Sequence, residues 1–409
     1  MSMTLAELLA PMTPEQFFAE YHDRQPLHLK GTPAKFAQVL SWRQINRLLD
    51  QTHIWSSHSL KLVLDGVPVP PEQYCTRAVG RDSAEQLMQP LASRVQEWVR
   101  RGASVVLNDV DSLTPGLASV SHALESAGLG KAQANVYISW QSHKAFPAHF
   151  DTHDVWAVQV EGEKTWNVWE GRADYPIGHP AFRNQPQEHH EQAKGRLRAK
   201  VVMQPGDLLY LPRGWYHDAL AEAPASVHVA YGAHAPLGLD VMNLLAERAL
   251  HDSLFRQPLP RQDGSAPAKF ALSQRVQALA ARMAELAKDP AVMAALERFI
   301  ATYRFERGGN DLLAWRGLAA PAAQGAEEGA EGGAFRVVAN GAKPVRRGAD
   351  WVLKTGGGVL PLAPAEAEAA QWLLARPDVT ESELRAAHPG ADAPALLGKL
   401  REAGLLVPT

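Results

Sequence analysis

A histidine and an aspartate spaced i, i+2, His149-Phe150-Asp151, and a distant third residue, His217, are the side chains of this 409-residue chain best suited to hold a metal. On a β-strand, positions i and i+2 point to the same face, so one imidazole and one carboxylate would converge on a single point. His217 ends the stretch LLYLPRGWYH, which follows a Pro205-Gly206-Asp207 turn and runs on through Pro212-Arg213-Gly214. Two histidines and one carboxylate make a facial set that leaves open positions on iron(II) for a chelating cosubstrate and O₂. With 16 histidines in the chain, an isolated HxD is weak evidence. Its place among strand-like stretches, with a histidine directly after a turn–strand unit, is what singles it out. His153 would keep the strand face of His149 but lie roughly 13 Å along it. His189 and His190 fall in a polar stretch and read as solvated, His234 reads as a rim residue, and His143 is not favoured either.

These residues need a rigid frame. From Ala132 to His234 the segments QANVYISW, VWAVQVEG, EKTWNVWEG, KVVMQPGDLLYLP and ASVHVAYGA are rich in Val, Trp, Tyr and Ile and are punctuated by Gly, Pro and Asp, the pattern of a jelly-roll sandwich or barrel. Residues 171–199 interrupt it as a polar excursion. Ahead of it, Thr13 with Gln16 and Ser41 with Gln44 read as helix N-caps. LKLVLDG at 60–66 and SVVLNDV at 104–110 read as strands, and 113–129 as a helix. After Pro236 the texture becomes helical, with Asp240 placed to cap VMNLLAERALHDSLF. Leu272, Val276, Leu279, Met283 and Leu286 then form a heptad-like stripe that must bury against some partner. Residues 318–334 are Ala/Gly/Glu-rich and read as a flexible linker. Two β segments and three short helices, at 364–375, 380–388 and 392–404, complete a small terminal unit.

Composition narrows the classes. Hydrophobic residues make up 46% and charged residues 21%, with a net charge of −3, a globular mix without the excess of base that a polyanion partner demands. Eleven tryptophans, several between Trp140 and Trp215, imply an aromatic-lined interior that includes Trp156 and Trp166. The single cysteine, Cys75, excludes an intramolecular disulfide and a multi-thiolate metal site. No signal peptide or membrane-spanning stretch is evident, so the expected location is cytoplasmic.

At the HxD residues the chain resembles the cupin-like JmjC oxygenases, specifically the ribosomal oxygenase branch of protein hydroxylases. The resemblance runs from FFAEYHDRQPLHLKG through NVYISW…AFPAHFDTHDVWAVQVEGEKTWNVW to PGDLLYLPRGWYHDA. It implies an α+β protein: a double-stranded β-helix (jelly-roll) catalytic domain at 1–238, a helical dimerisation region at 239–317, the linker 318–334, and a winged-helix-like domain at 335–409. It implies iron(II), 2-oxoglutarate and O₂, with His149, Asp151 and His217 as iron ligands and Lys164 pairing with the far carboxylate of 2-oxoglutarate. A buried carboxylate needs a cationic or multiply donating partner, which makes that last role physically reasonable. Asn135 and Tyr137, on alternate positions of one strand, match polar residues facing the same pocket. Ser226 and His228 on the closing strand are weaker candidates. Bacterial arginyl hydroxylases of this branch carry arginine where this chain has Lys164, and lysine there is more like the animal histidyl hydroxylases.

The expected activity is therefore hydroxylation of an Arg or His side chain in a protein or peptide, with a ribosomal protein as candidate substrate and a homodimer as the assembly. The alternatives are JmjC-type demethylation and a metal-binding cupin without 2-oxoglutarate chemistry, from which Lys164 discriminates. Residues 335–409 hold nine Lys/Arg against eight Asp/Glu, and the last helical segment offers only Lys399 and Arg401, so direct nucleic-acid binding is not expected.

Overall fold

The computed structural model describes residues 3–79, 86–140, 146–221, 224–308, 334–338, 342, 344–347, 350–355, 358–376 and 378–408. They form two compact units, Met1–Arg307 and Gly308–Thr409.

The first unit contains thirteen described strands: β1 (Leu27–Leu29), β2 (Leu60–Leu64), β3 (Val67–Pro68), β4 (Cys75–Val79), β5 (Gln86–Pro90), β6 (Ser104–Leu107), β7 (Lys131–Trp140), β8 (Asp154–Glu161), β9 (Lys164–Arg172), β10 (Leu197–Met203), β11 (Leu208–Leu211), β12 (Trp215–Ala221) and β13 (Ala225–His234). An eight-stranded sheet runs β1-β11-β8-β13-β7-β6-β2-β3, and a three-stranded sheet runs β10-β9-β12. Val155 and Ala157 of β8 meet Trp166 and Val168 of β9, Met203 of β10 and Leu209 and Leu211 of β11 between the two sheets. This is the expected jelly roll.

The opposite face of the large sheet is covered by the N-terminal helices. Leu8, Leu9, Phe17, Phe36, Ile45, Leu117, Val120 and Leu124 pack there against Ala134, Val136, Trp156, Val158, Tyr210 and Tyr231. Because β8 is buried on both faces, VWAVQV is almost continuously apolar instead of alternating. It also relocates Trp156. That ring is fully buried, 5.0 Å from Phe17 and 4.8 Å from Tyr210, on the helical side of the sheet and not in the barrel, while Trp166 does face inward. The expected N-caps are present, with Thr13 and Gln16 forming a reciprocal capping box and Ser41 accepting from Gln44 N. The helix expected at 113–129 spans Pro115–Ser126. Helices Pro180–Arg183 and Gln187–Ala193 occupy the excursion between β9 and β10.

The helical stretch belongs to the same unit. Helices Gly238–Ala249, Ala266–Leu286 and Pro290–Ala301 share a small core of Leu245, Ala249, Leu286 and Val292. Asp240 sits in the first turn, not at the cap, and accepts from Leu237 N at 2.7 Å. Of the stripe, Leu286 is buried, Leu272, Leu279 and Met283 are half-buried, and Val276 is 54% exposed. The expected burial is thus incomplete within one chain.

The second unit has three-stranded sheets β18-β14-β19 and β15-β16-β17, built from β14 (Ala334–Val337), β15 (Pro344–Arg347), β16 (Asp350–Thr355), β17 (Gly358–Leu362), β18 (Asp378–Thr380) and β19 (Leu406–Pro408). Helices Pro364–Leu374, Glu381–Ala387 and Ala393–Glu402 match the three expected ones. WVLKTGGGVLPL, read as one β segment, is split between β16 and β17, which pair as a hairpin. Of the expected linker, residues 318–333 lie outside the described residues.

One buried charge cluster ties the end of the helical region to the root of β7. The Arg307 side chain, 3% exposed, pairs with Asp111 and, at 2.6 Å, with Glu125, itself 2% exposed. Arg307 also donates to Ala132 O. Removing one member of such a buried network strands the others without a counter-charge. Arg307→Ala is expected to cost about 3–5 kcal/mol of stability, read by denaturant unfolding.

Candidate metal and cosubstrate site

The candidate metal-binding residues are brought together by the backbone. His149 and His217 form a single antiparallel bridge: His149 N donates to His217 O at 3.0 Å and His217 N to His149 O at 2.8 Å. HxD therefore does not lie within a continuous strand, as the i, i+2 reading supposed. It occupies the approach to β8, and Asp151 is held separately, its carbonyl accepting from Gly214 N at 2.9 Å. His217 is the third residue of β12, as placed from PRGWYH.

The side chains converge. The His149 and His217 rings are 4.6 Å apart, His217 Nε2 lies 3.4 Å from Asp151 Oδ2, and one ligand atom from each residue lies within 4.8 Å of the others. Each imidazole is locked in one tautomer. His149 Nδ1 lies 2.8 Å from Pro147 O and His217 Nδ1 2.9 Å from Trp215 O. A carbonyl can only accept, so both Nδ1 atoms carry a proton, and each ring in its neutral form turns its Nε2 lone pair toward a cation. Burial and the neighbouring His217 push His149 below its ordinary range. Burial would lower His217 too, but the hydrogen bond and charge of Asp151 raise it. Burial would raise Asp151, but His217 and the nearby imidazoles hold it well below the carboxylate range. A compact anion-plus-imidazole set of this kind fits a divalent metal.

The triad opens on a cavity of about 280 Å³ lined by Asn135, Tyr137, Phe146, His153, Lys164, Trp166 and His228 among others. Gly162, at φ +61° in the β8–β9 turn, makes the placement of Lys164 possible: a Cβ there would meet Ala225 O at 2.0 Å. Lys164 is the first residue of β9, 2% exposed. Its Nζ donates to Ser139 Oγ at 2.9 Å, and burial brings the ammonium down to about 8. Among the described residues no carboxylate pairs with it, so the cavity holds a desolvated cation suited to an anionic ligand.

Asn135 and Tyr137 line the same cavity, as the resemblance implied, and Asn135 Oδ1 accepts from Asp109 N at 3.0 Å. Ser139, the next residue on that face, was overlooked although the same period-2 pattern includes it. His228 lines the cavity and Ser226 does not. Ser226 Oγ is fully buried, accepting from Gln159 Nε2 at 2.9 Å, so its role is internal. His153 is no ligand but lines the cavity, its ring 4.5 Å from His234 and so close to the Gly232 backbone that a Cβ there would lie 2.5 Å from it. His189 is exposed, and His190 lies 3.3 Å from Tyr216 Oη. His143 lies outside the described residues.

Residues 113–241 match the family model described as the JmjC domain. The bifunctional lysine-specific demethylase and histidyl-hydroxylase NO66 of Drosophila persimilis is 27% identical over 267 residues, 63% of this chain and 36% of that protein. Ribosomal oxygenase 1 of Rattus norvegicus is 24% identical over 306 residues, 70% of this chain and 48% of that protein. The chain thus spans about a third to a half of the length of these curated relatives. The structure of YcfD, a ribosomal oxygenase from Escherichia coli, in complex with cobalt and 2-oxoglutarate covers 97% of this chain and 98% of its own, with a TM-score of 0.50 and 17% identity. At that identity the likeness is one of fold.

Three substitutions test this geometry. Asp151→Ala is expected to abolish stoichiometric binding of Mn(II) or Fe(II) by calorimetry while circular dichroism and the unfolding midpoint stay near wild type. Lys164→Ala is expected to weaken 2-oxoglutarate by about 10- to 100-fold, the loss for a hydrogen bond to a charged group, with metal affinity unchanged. Lys164→Arg would retain part of the affinity, limited by the room a planar guanidinium needs.

Proposed function

From a chain that carries a JmjC domain, we propose an iron(II)- and 2-oxoglutarate-dependent oxygenase that hydroxylates a side chain of a protein or peptide, with a ribosomal protein as the candidate substrate. The observation that carries this reading is the pairing of the His149–Asp151–His217 set with a buried Lys164 that meets no carboxylate among the described residues, in one cavity. A metal-binding cupin without 2-oxoglutarate chemistry has no use for that ammonium.

His149, Asp151 and His217 would hold iron on one face, leaving the cavity side open. Bound iron and 2-oxoglutarate supply the oxidising chemistry, converting the cosubstrate and O₂ to succinate and CO₂ as one oxygen atom enters a substrate C–H bond. Lys164, held by Ser139, would anchor the far carboxylate and so orient the 2-oxo acid end toward the triad. Trp166, Phe146 and Val155 would exclude water around it. Among the described residues lining the cavity the only carboxylate is Asp151, a metal ligand. A guanidinium would find no free anion there, which favours a neutral imidazole as the oxidised group. Demethylation of N-methyl lysine is the second reading, supported by the activity named for the NO66 relatives.

We further propose a homodimer through the helical stretch. Leu239, Met242, Leu250, Phe270, Val276 and Ile300 are all at least 49% exposed there, an apolar surface that a second copy would cover. The 335–409 unit is proposed as a winged-helix-like domain with a structural or substrate-shaping role. Its nine Lys/Arg stand against eight Asp/Glu, with Lys399 paired to Glu366 and Arg336 to Asp378, so it lacks the clear basic excess that phosphate binding wants. No described helix is long and apolar enough to cross a membrane, and a cytoplasmic location is proposed.

The deciding experiment is mass spectrometry of ribosomal proteins from a deletion strain. A histidine that loses one oxygen atom of mass relative to wild type names substrate and residue. Recovery of the mark in vitro must require both Fe(II) and 2-oxoglutarate. Formaldehyde release from a methyl-lysine peptide, with no mark on any ribosomal protein, would transfer the assignment to demethylation. In light scattering at micromolar concentration the wild type is expected at twice the chain mass. Val276→Glu with Phe270→Glu is expected to shift it to monomer, and a monomeric wild type would refute the dimer.

A further inference from the structure

The residues that alternate with the three candidate ligands are held from the side away from the cavity. Phe150 stands between His149 and Asp151, and Tyr216 precedes His217. Neither is among the described residues lining the cavity. Their rings meet edge to face, with centroids 5.3 Å apart and planes at 87°. Successive residues of a strand point to opposite faces, so with His217 turned inward Tyr216 falls on the outer face of the three-stranded sheet. An uncovered outer face would leave that ring wet, yet Tyr216 is 1% exposed.

Helix Gln187–Ala193, in the excursion between β9 and β10, meets this outer face. The His190 ring stands edge-on to Phe150 at 5.5 Å and 69° and 5.8 Å from the Tyr216 ring. Its Nδ1 is 3.3 Å from Tyr216 Oη. Gln187 Nε2 donates to Ala148 O at 3.1 Å. Residues three apart lie on one helix face, so a single face of this helix reaches Ala148, Phe150 and Tyr216, each adjacent in sequence to a ligand. Hydrophobic burial does not account for its position. The helix reads QEHHEQA and has no buried residue, whereas a helix docked by the hydrophobic effect presents an apolar stripe. Its far end is moored to β9, where Gly171 N donates to Lys194 O at 2.8 Å. Lys194 Nζ lies 4.0 Å from the centre of the Trp169 ring, and Trp169 Nε1 donates at 3.1 Å to Asp218, the residue after His217.

We propose that Gln187 and His190 are positioning residues for the metal centre: from outside the barrel they hold the segments that carry His149, Asp151 and His217 at the separation a bound cation requires. The inference rests on the proposed metal-binding role of the triad and deepens it. The main-chain bridge fixes the His149 segment to the His217 segment, but Asp151 lies beyond that bridge. Phe150, wedged between His190 and Tyr216, limits how far the chain at Asp151 can swing. Without the brace the ligand types are unchanged and the donors are free to spread, so a cation is held more weakly and in a less regular field.

The test titrates the full-length protein with Mn(II) by calorimetry and reads the visible d–d absorption of bound Co(II) as a second measure of ligand geometry. The double variant Gln187→Ala/His190→Ala removes both contacts. His190→Phe keeps a ring against Phe150 and Tyr216, with Gln187 intact. The double variant is expected to bind Mn(II) about tenfold more weakly and to shift the Co(II) bands, while its metal-free unfolding midpoint stays near wild type. His190→Phe is expected to recover most of the loss. Wild-type Mn(II) affinity and Co(II) bands in the double variant would overturn the assignment. So would a loss of affinity matched by a fall in the metal-free midpoint, which marks a packing role only. A wild-type protein that binds no Mn(II) would overturn the underlying metal-site reading instead.

Discussion

Two hydrogen bonds of the main chain, exchanged between His149 and His217, set the geometry of the centre. They join segments far apart in sequence and do so through the very residues that carry the ligands. Placing three polar side chains inside a barrel costs desolvation, and a loose arrangement would collapse into alternative pairings. The backbone bridge removes that freedom before any metal arrives. Carbonyls of Pro147 and Trp215, each two residues before its histidine, then turn both rings the same way round. The local chain thus supplies both the position and the protonation pattern of the ligands.

The sheet that carries the site is covered on both sides, and this explains its composition. One face is filled by N-terminal helices; the other faces the small sheet, where it is divided between an apolar end and a polar cavity. Strand β7 shows the division within one element. Ala132, Ala134, Val136 and Ile138 enter the helical core, while Asn135 and Tyr137 face the cavity and Ser139 holds Lys164. The period-2 geometry of a strand lets one segment serve stability and function without compromise between them.

Electrostatics divides the cavity further. Among the described residues lining the cavity the acidic one is at the triad, and the ammonium on β9 meets no carboxylate among the described residues. A ligand with one chelating end and one anionic end is oriented by that separation, and a single reversed charge would abolish it. The same economy appears at Arg307, where one guanidinium balances two carboxylates at the root of β7, so that the strand holding the cavity residues is anchored by the end of the helical region.

Much of this was legible in the chain. HxD with a histidine after a turn–strand unit singled out three residues that the fold does bring together, because ligand chemistry restricts residue types severely and strand geometry restricts their spacing. Capping residues located helices because caps act over three residues. The family resemblance put Asn135 and Tyr137 at the cavity, and period-2 alternation from them leads on to Ser139. What the chain could not reveal was long-range: that Trp156 packs under helices while Trp166 faces the cavity, that HxD sits at an isolated bridge outside β8, that Ser226 is spent on Gln159, and that His228 lies flat on Tyr137. Each of those turns on which of two apolar or polar partners a residue meets. A strand buried on both faces carries no alternation to tell them apart, so only the packing of sheet against helices and sheet against sheet decided it.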